Sequence, residues 1–205
     1  MILCDIGNTT YHFSKQKSYF KEFVEYFDPL SLKERVFYIS VNREVSQKLK
    51  DFPNWIDLEN YIVRENYYDT MGIDRVVACE AITDGIIVDA GSAITVDRVK
   101  DGNFLGGFIL PGVDAMQKCY ANISKALDYS FNFECDLDIM PKNSKDAISY
   151  GYLKTLHSEV TSYEQPIYLT GGDAKRLQTL FKDAVVDEFL LFNGMKKIIQ
   201  KAKLC

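Results

Sequence analysis

Apolar and polar positions alternate along this chain with two rhythms, one near every second residue and one near 3.6, in an order that occurs twice. Ile2–Ile6, Thr10–Lys15 and Ser18–Phe23 are short stretches separated by Gly7-Asn8-Thr9 and a polar turn, the pattern of a three-stranded meander. Residues 36–41, β-branched and aromatic, predict a further strand. Residues 44–52 then place Val45, Leu49 and Phe52 at helical spacing, and Pro53 closes that element. Residues 55–61 predict another short strand. Residues 74–83 predict a helix whose Val76, Val77 and Ala81 cover a core.

After Gly85 the order starts again. Ile86-Ile87-Val88 is strand-like, residues 94–99 alternate, and Asp101-Gly102 is a strong hairpin signal before residues 103–110. Pro111-Gly112 ends that meander. Residues 114–127 and 144–162 are the two longest helical patterns, each opening on a capping-type residue. Residues 166–170 predict a strand running into Gly171-Gly172-Asp173 and a helix over 174–181. A strand over 189–192 and a helix over 194–203 close the chain. Meander, then helix and strand, repeated once, predicts an α/β protein of two similar halves, residues 1–80 and 81–205. No stretch rich in Pro, Gly or Ser separates them.

Composition narrows the function. At 205 residues and 47% hydrophobic content a packed core is available, while a net charge of −5 argues against nucleic-acid or anionic-membrane partners, which need clustered Lys and Arg. The basic cluster from Lys196 to Lys203 has helical spacing and reads as a solvated face complementing a helix end. Five scattered cysteines (Cys4, Cys79, Cys119, Cys135, Cys205) form neither a disulfide framework nor a zinc pattern. Two histidines leave little for a histidine-based metal centre. Of these, His12 lies beside the first turn, open to nucleotide contact or to a structural role. No leader-like segment or membrane-spanning apolar run is present, and free thiols suit a reducing cytoplasm.

The chemistry-bearing pattern is a pair. Asp5-Ile6-Gly7-Asn8-Thr9 and Asp89-Ala90-Gly91-Ser92-Ala93 lie 84 positions apart, each behind an apolar run. An Asp at a strand end, a Gly permitting close backbone approach and a small polar residue make a phosphate-binding turn. Alone, the first pentapeptide reads equally as a hairpin turn; its echo at Asp89 favours phosphate. Gly72-Ile73-Asp74-Arg75 alone reads as a helix cap beside a solvated Arg. Thr170-Gly171-Gly172-Asp173, at a strand-to-helix junction, suits the approach of a flat ligand or phosphate. The segment from Gly106 to Gly112 is either a bulged strand with a stop or the wall of a pocket.

In this order the motifs resemble type III pantothenate kinase, of the superfamily of actin, hexokinase and the chaperone ATPases. The resemblance implies two actin/ribonuclease H-like domains, each a mixed sheet flanked by helices, with a nucleotide cleft between them. It implies transfer of the ATP γ-phosphoryl group to the primary hydroxyl of pantothenate, the first step of coenzyme A biosynthesis. Asp5 to about His12 would form the first phosphate loop, with Asp5, Ile6, Gly7, Asn8, Thr9 and Thr10 contacting ATP, as would Ser92, at a position where the family usually has Thr. Tyr68, with Tyr67 as its rival, would meet pantothenate together with Gly72, Ile73, Asp74, Arg75 and Ser144, again a Ser for a Thr. Asp74 would be the general base. Asp89 would hold a monovalent cation, K⁺ or NH₄⁺, and Asp5 would stand near Mg²⁺. A cytoplasmic homodimer is implied, with no membrane or nucleic acid as partner. Upstream of Gly72 the segment is short and lacks the Asn-Pro that the family commonly shows. Two rival readings share the fold: a non-catalytic regulatory relative like the Bvg accessory factor, and another small-alcohol or sugar kinase.

Overall fold

The computed structural model describes residues 1–16 and 18–204 and divides into two compact units, Met1–Ile82 with Phe189–Cys205, and Thr83–Glu188. In the first unit β1 (Ile2–Ile6) is central. It pairs antiparallel with β2 (Thr10–Lys15), which pairs with β3 (Ser18–Phe23). On its other side β4 (Val36–Ser40) and then β5 (Trp55–Asp57) add in parallel. Alternation along β1 decides what each face carries. Ile2, Cys4 and Ile6 join Tyr11, Phe13, Val36, Tyr38 and Trp55 in one core, closed by Val45 and Leu49 of α1 (Arg43–Leu49). Two further helices serve the unit, α2 (Ile73–Glu80) and α6 (Leu190–Lys201): they pack on each other, α6 against β1 and α2 against β4.

The second unit repeats the plan. Strand β6 (Gly85–Ala90) is central, β7 (Ala93–Lys100) and β8 (Asn103–Pro111) continue antiparallel, and β9 (Ile167–Thr170) and β10 (Val185–Val186) add in parallel. The strand orders β3-β2-β1-β4-β5 and β8-β7-β6-β9-β10 follow the same path. Asp5 and Asp89 are each the penultimate residue of the central strand. Helix α4 (Ser144–Thr161) sends Leu153, Leu156 and Val160 into a core with Ile86, Val88, Ala90 and Leu169. Two other helices are α3 (Val113–Ile123) and the short α5 (Ala174–Leu177).

Several elements differ from expectation, and the helices expected over 44–52 and 74–83 end at Leu49 and Glu80. Residues 189–192 are not a strand: from Leu190 onward they open α6, whose buried Leu190, Gly194, Met195, Ile198 and Ile199 recur at helical spacing. The parallel edge strand is Val185–Val186 instead. Helix α6 belongs with the first unit, so a division into 1–80 and 81–205 separates it from the helix it packs on. Residues 55–61 split into β5 and a 3-10 turn, Leu58–Tyr61. The helix expected over 114–127 ends at Ile123, because Ser124 is extended and caps a separate turn by accepting from the Ala126 amide. The helix expected over 174–181 stops at Leu177. Cys4 and Cys79 are buried, Cys119 is exposed and Cys135 half-buried; Cys205 lies outside the described residues.

Candidate active site

The first turn closes when the Gly7 amide donates to the Thr10 carbonyl at 2.9 Å. Asn8 and Thr9 are exposed at its tip. Asn42 anchors it from the neighbouring strand end: its Nδ2 donates to the Asn8 carbonyl at 3.2 Å, while its Oδ1 caps α1 by accepting from the Glu44 and Val45 amides. Ile6 points into the core and Asp5 to the opposite face, where strand register sets it beside His12 and His12 beside Lys21. The His12 ring lies 2.8 Å from Thr10 Oγ1 through Nε2 and 3.1 Å from the Tyr19 hydroxyl through Nδ1. Burial lowers the His12 pKa, and the charge of Lys21 lowers it further.

Helix α2 presents the second group of residues. Its first turn begins at Gly72, where a Cβ would lie 2.5 Å from Asp74 Oδ1. With no side chain there, the Asp74 carboxylate folds back over the helix start and accepts from the Arg75 amide at 2.8 Å. An anionic group at that end is favoured by the helix dipole. Arg75 is only 6% exposed, and its guanidinium donates to the Tyr68 hydroxyl. The two tyrosines are therefore unlike. Tyr67 is buried and donates to Glu80 Oε1 at 3.0 Å, at the far end of α2, whereas Tyr68 is exposed and meets Arg75. Beside Gly72 and Ile73 opens a cavity of about 650 Å³, also lined by Arg43, Lys50, Arg64, Asp57 and Asp69. Arg64 closes one wall, donating to the Met71 carbonyl at 3.0 Å and pairing with Glu59.

In the second unit, motifs far apart in sequence meet at Asp89. A Cβ on Gly171 would lie 2.4 Å from Asp89 Oδ1 and 2.5 Å from the Ala90 carbonyl, and the φ of +86° at Gly171 suits glycine alone. A Cβ on Gly112 would strike the carbonyls of Gly91 and Ser92, at 2.2 and 2.6 Å. The Asp173 amide donates to the Ala90 carbonyl and the Gly112 amide to that of Ser92. Glycines at 112 and 171 thus let the loops after β8 and β9 close on the Asp89 turn. Register sets Thr95 of β7 and Thr170 of β9 directly beside Asp89. Thr95 Oγ1 is buried and makes no hydrogen bond among the described residues. A carboxylate beside an orphaned hydroxyl is an oxygen donor set suited to a hard cation. Ser92 is exposed on this turn. Ser144 is exposed as the first residue of α4, behind Asn143, whose side chain accepts from the Asp146 amide.

Asn42, Tyr19 and Thr95 carry parts of these arrangements that sequence reasoning did not single out. Asn42 had a readable signal, a capping residue ahead of a helical pattern. The partners of Tyr19 and Thr95 depend on strand register. Among the described residues no three His, Cys, Asp or Glu side chains cluster as a ready metal site, and no helix is long and apolar enough to cross a membrane.

Residues 16–165 match the family described as type III pantothenate kinase. A type III pantothenate kinase of Sulfurimonas denitrificans is 61% identical over 205 residues, covering all of both chains. A crystal structure from Campylobacter jejuni, described as a candidate Baf family transcriptional activator, is 41% identical and superposes with a TM-score of 0.87 over the whole of both chains. A Sinorhizobium meliloti protein described as a candidate 2-dehydro-3-deoxygalactonokinase shares the fold at 10% identity, with a TM-score of 0.57 over 98% of this chain and 96% of its own.

Proposed function

The chain belongs to the type III pantothenate kinase family, and on that premise we propose how its residues carry the γ-phosphoryl group of ATP to the primary hydroxyl of pantothenate. The observation that carries the assignment of roles is the start of α2, where the Asp74 carboxylate is held over Gly72 and Arg75 lies buried against Tyr68. Asp74 is the general base. As the acceptor oxygen bonds to the γ-phosphorus, the bond to the β-phosphate oxygen breaks, ADP leaves, and the hydroxyl proton passes to the Asp74 carboxylate. Phosphoryl transfer runs through a loose transition state, so most of the protein's work is positioning and charge neutralisation. Gly72, Ile73, Arg75, Tyr68 and Ser144 contact pantothenate. The cavity lined by Gly72 and Ile73 supports the part of that reading that concerns those two residues, because it brings polar and charged groups to the start of α2.

Residues 5–10 and Ser92 receive the ATP phosphates, through turn amides and small hydroxyls. Asp89 holds a monovalent cation, K⁺ or NH₄⁺, with Thr95 Oγ1 supplying a further oxygen; the orphaned state of that hydroxyl is the support. Asp5 stands as the carboxylate for Mg²⁺, which takes oxygen ligands and shares them with phosphates. When bound, such cations neutralise negative charge that develops around the transferring group. A homodimer in the cytoplasm completes the proposal.

The description of the Campylobacter jejuni structure as a candidate transcriptional activator favours one second reading, a regulatory role through binding. A coupled assay of ADP release separates the two. Release that requires pantothenate, and is much faster in K⁺ or NH₄⁺ than in Na⁺, supports the kinase with its cation. Absence of pantothenate-dependent release in every salt supports the regulatory reading, and release indifferent to the cation removes the Asp89 assignment.

A further inference from the structure

We propose that His12 is a positioning residue that aims the Thr10 hydroxyl at a phosphate oxygen of ATP, through a hydrogen-bond chain running Tyr19 to His12 to Thr10. The inference rests on the reading of residues 5–10 as a phosphate turn. It goes beyond that reading by giving a defined task to His12, which lies on β2 where that loop ends.

The geometry is set by the sheet. Thr10 and His12 are two residues apart on β2 and so share a face, with Asp5 beside His12 on β1. Tyr19 and Lys21 lie on β3, and register places Lys21 opposite His12 and Tyr19 opposite Ser14. Both ring nitrogens of His12 are engaged, Nε2 at 2.8 Å from Thr10 Oγ1 and Nδ1 at 3.1 Å from the Tyr19 hydroxyl. The ring is also edge-on to the Tyr19 ring, with centroids 6.3 Å apart.

Direction along the chain follows from acidity. A neutral imidazole has one donor and one acceptor, which the two hydroxyls at the His12 ring nitrogens can satisfy together. A phenol is a better donor and a poorer acceptor than an alkyl alcohol. Tyr19 therefore donates to Nδ1, and the Nε2 hydrogen is donated to Thr10 Oγ1. With its oxygen already accepting from the ring, Thr10 keeps its own hydrogen for an acceptor outside the chain. A phosphate oxygen at the turn is such an acceptor. Without His12 the hydroxyl rotates freely and can spend that hydrogen elsewhere.

The test is steady-state kinetics on the intact enzyme, comparing Asp5→Asn, Thr10→Val, His12→Leu, His12→Gln, Tyr19→Phe and the double variant Thr10→Val/His12→Leu, with thermal melting to verify folding. His12→Leu is expected to raise the KM for ATP about tenfold, the scale of one hydrogen bond to a charged group, leaving kcat and the KM for pantothenate within about twofold. His12→Gln should recover most of the loss, because its amide nitrogen reaches the Nε2 position. The double variant should be no worse than the worse single variant. Two independent effects that multiply, or a Gln variant as impaired as Leu, would overturn the proposal. Where Asp5→Asn and Thr10→Val both leave ATP kinetics unchanged, the phosphate-turn reading itself fails and the proposal with it. Where those two impair ATP use and His12→Leu does not, only the His12 chain fails. If His12→Leu does not fold, His12→Gln near normal with Tyr19→Phe impaired toward ATP supports the chain, and the reverse overturns it.

Discussion

Gly194 of α6 and Val77 of α2 bring two helix backbones into contact: a methyl group on Gly194 would lie 2.0 Å from the Val77 carbonyl oxygen. The same pair of helices is fastened at the far end, where Lys197 Nζ donates to the Ala81 carbonyl at 2.7 Å and Lys201 Nζ meets Glu80 Oε2 at 2.6 Å. Gly194→Ala sets two effects against each other. Alanine favours a helix over glycine by about 1 kcal/mol, while overpacking against backbone costs about 1–3 kcal/mol. A 2.0 Å approach to a carbonyl decides for the second. The variant is expected to lose stability in urea titration, and to lose turnover as α2 shifts beneath Asp74. An unchanged or raised midpoint would mean that the helices separate without cost.

Asp74→Asn keeps the size of the side chain and its bond to the Arg75 amide but removes the proton acceptor. Loss of a general base typically lowers turnover about 10²–10⁴-fold. The expected outcome is a fall of that order in kcat, with the dissociation constants of ATP and pantothenate changed little by calorimetry. Near-normal turnover would take the base role away from Asp74.

Thr95→Val should act in opposite directions on two observables. A buried hydroxyl without a partner costs about 1–3 kcal/mol, so an isosteric methyl in its place should hold or raise the melting temperature in Na⁺ buffer. The K⁺ concentration needed for half-maximal activity should rise several-fold, because one oxygen near Asp89 is gone. A K⁺ response identical to that of the parent would place the cation away from Thr95.

His157 stacks on Phe181 with ring centroids 5.6 Å apart, and burial together with Lys154 lowers its pKa, against a smaller opposing effect of Asp138. The unfolded chain takes up this proton near pH ~6.5, and the folded chain only at lower pH. Between those values the unfolded state binds more protons, so the contribution of His157 is present above pH ~6.5 and lost as pH falls through the depressed folded value. His12 has the same sign. Melting temperatures are expected to fall from pH 7.5 to 5.5, and His157→Phe should flatten part of that fall. An equal slope in the variant would mean that the ring titrates alike in both states.

What sequence could reveal here was mostly local. The meanders, the glycine turns behind Asp5 and Asp89, and the long helix from Ser144 are each written in a dozen neighbouring residues, and each forms. The run from Phe189 to Phe192 was ambiguous because four consecutive apolar residues suit a strand or a helix equally; only burial continuing through Met195 and Ile199 resolves it. Likewise the partnership of Gly194 with Val77 spans more than a hundred residues, and no local pattern announces it. At the site, the spacing of Gly72, Asp74 and Arg75 was legible as a motif, while the burial of Arg75 against Tyr68 was not. The company of His12 depends on how β2 and β3 are registered, a pairing whose partners composition cannot name.

Since the first unit takes its closing helix from beyond the second, it is discontinuous along the chain while the second is continuous. A nascent chain extended only through residue 188 already contains everything the second unit needs, whereas α2 still lacks the surface that covers it. Truncation after residue 188 is therefore expected to leave the second unit whole and to strip the helix bearing Asp74 of its cover.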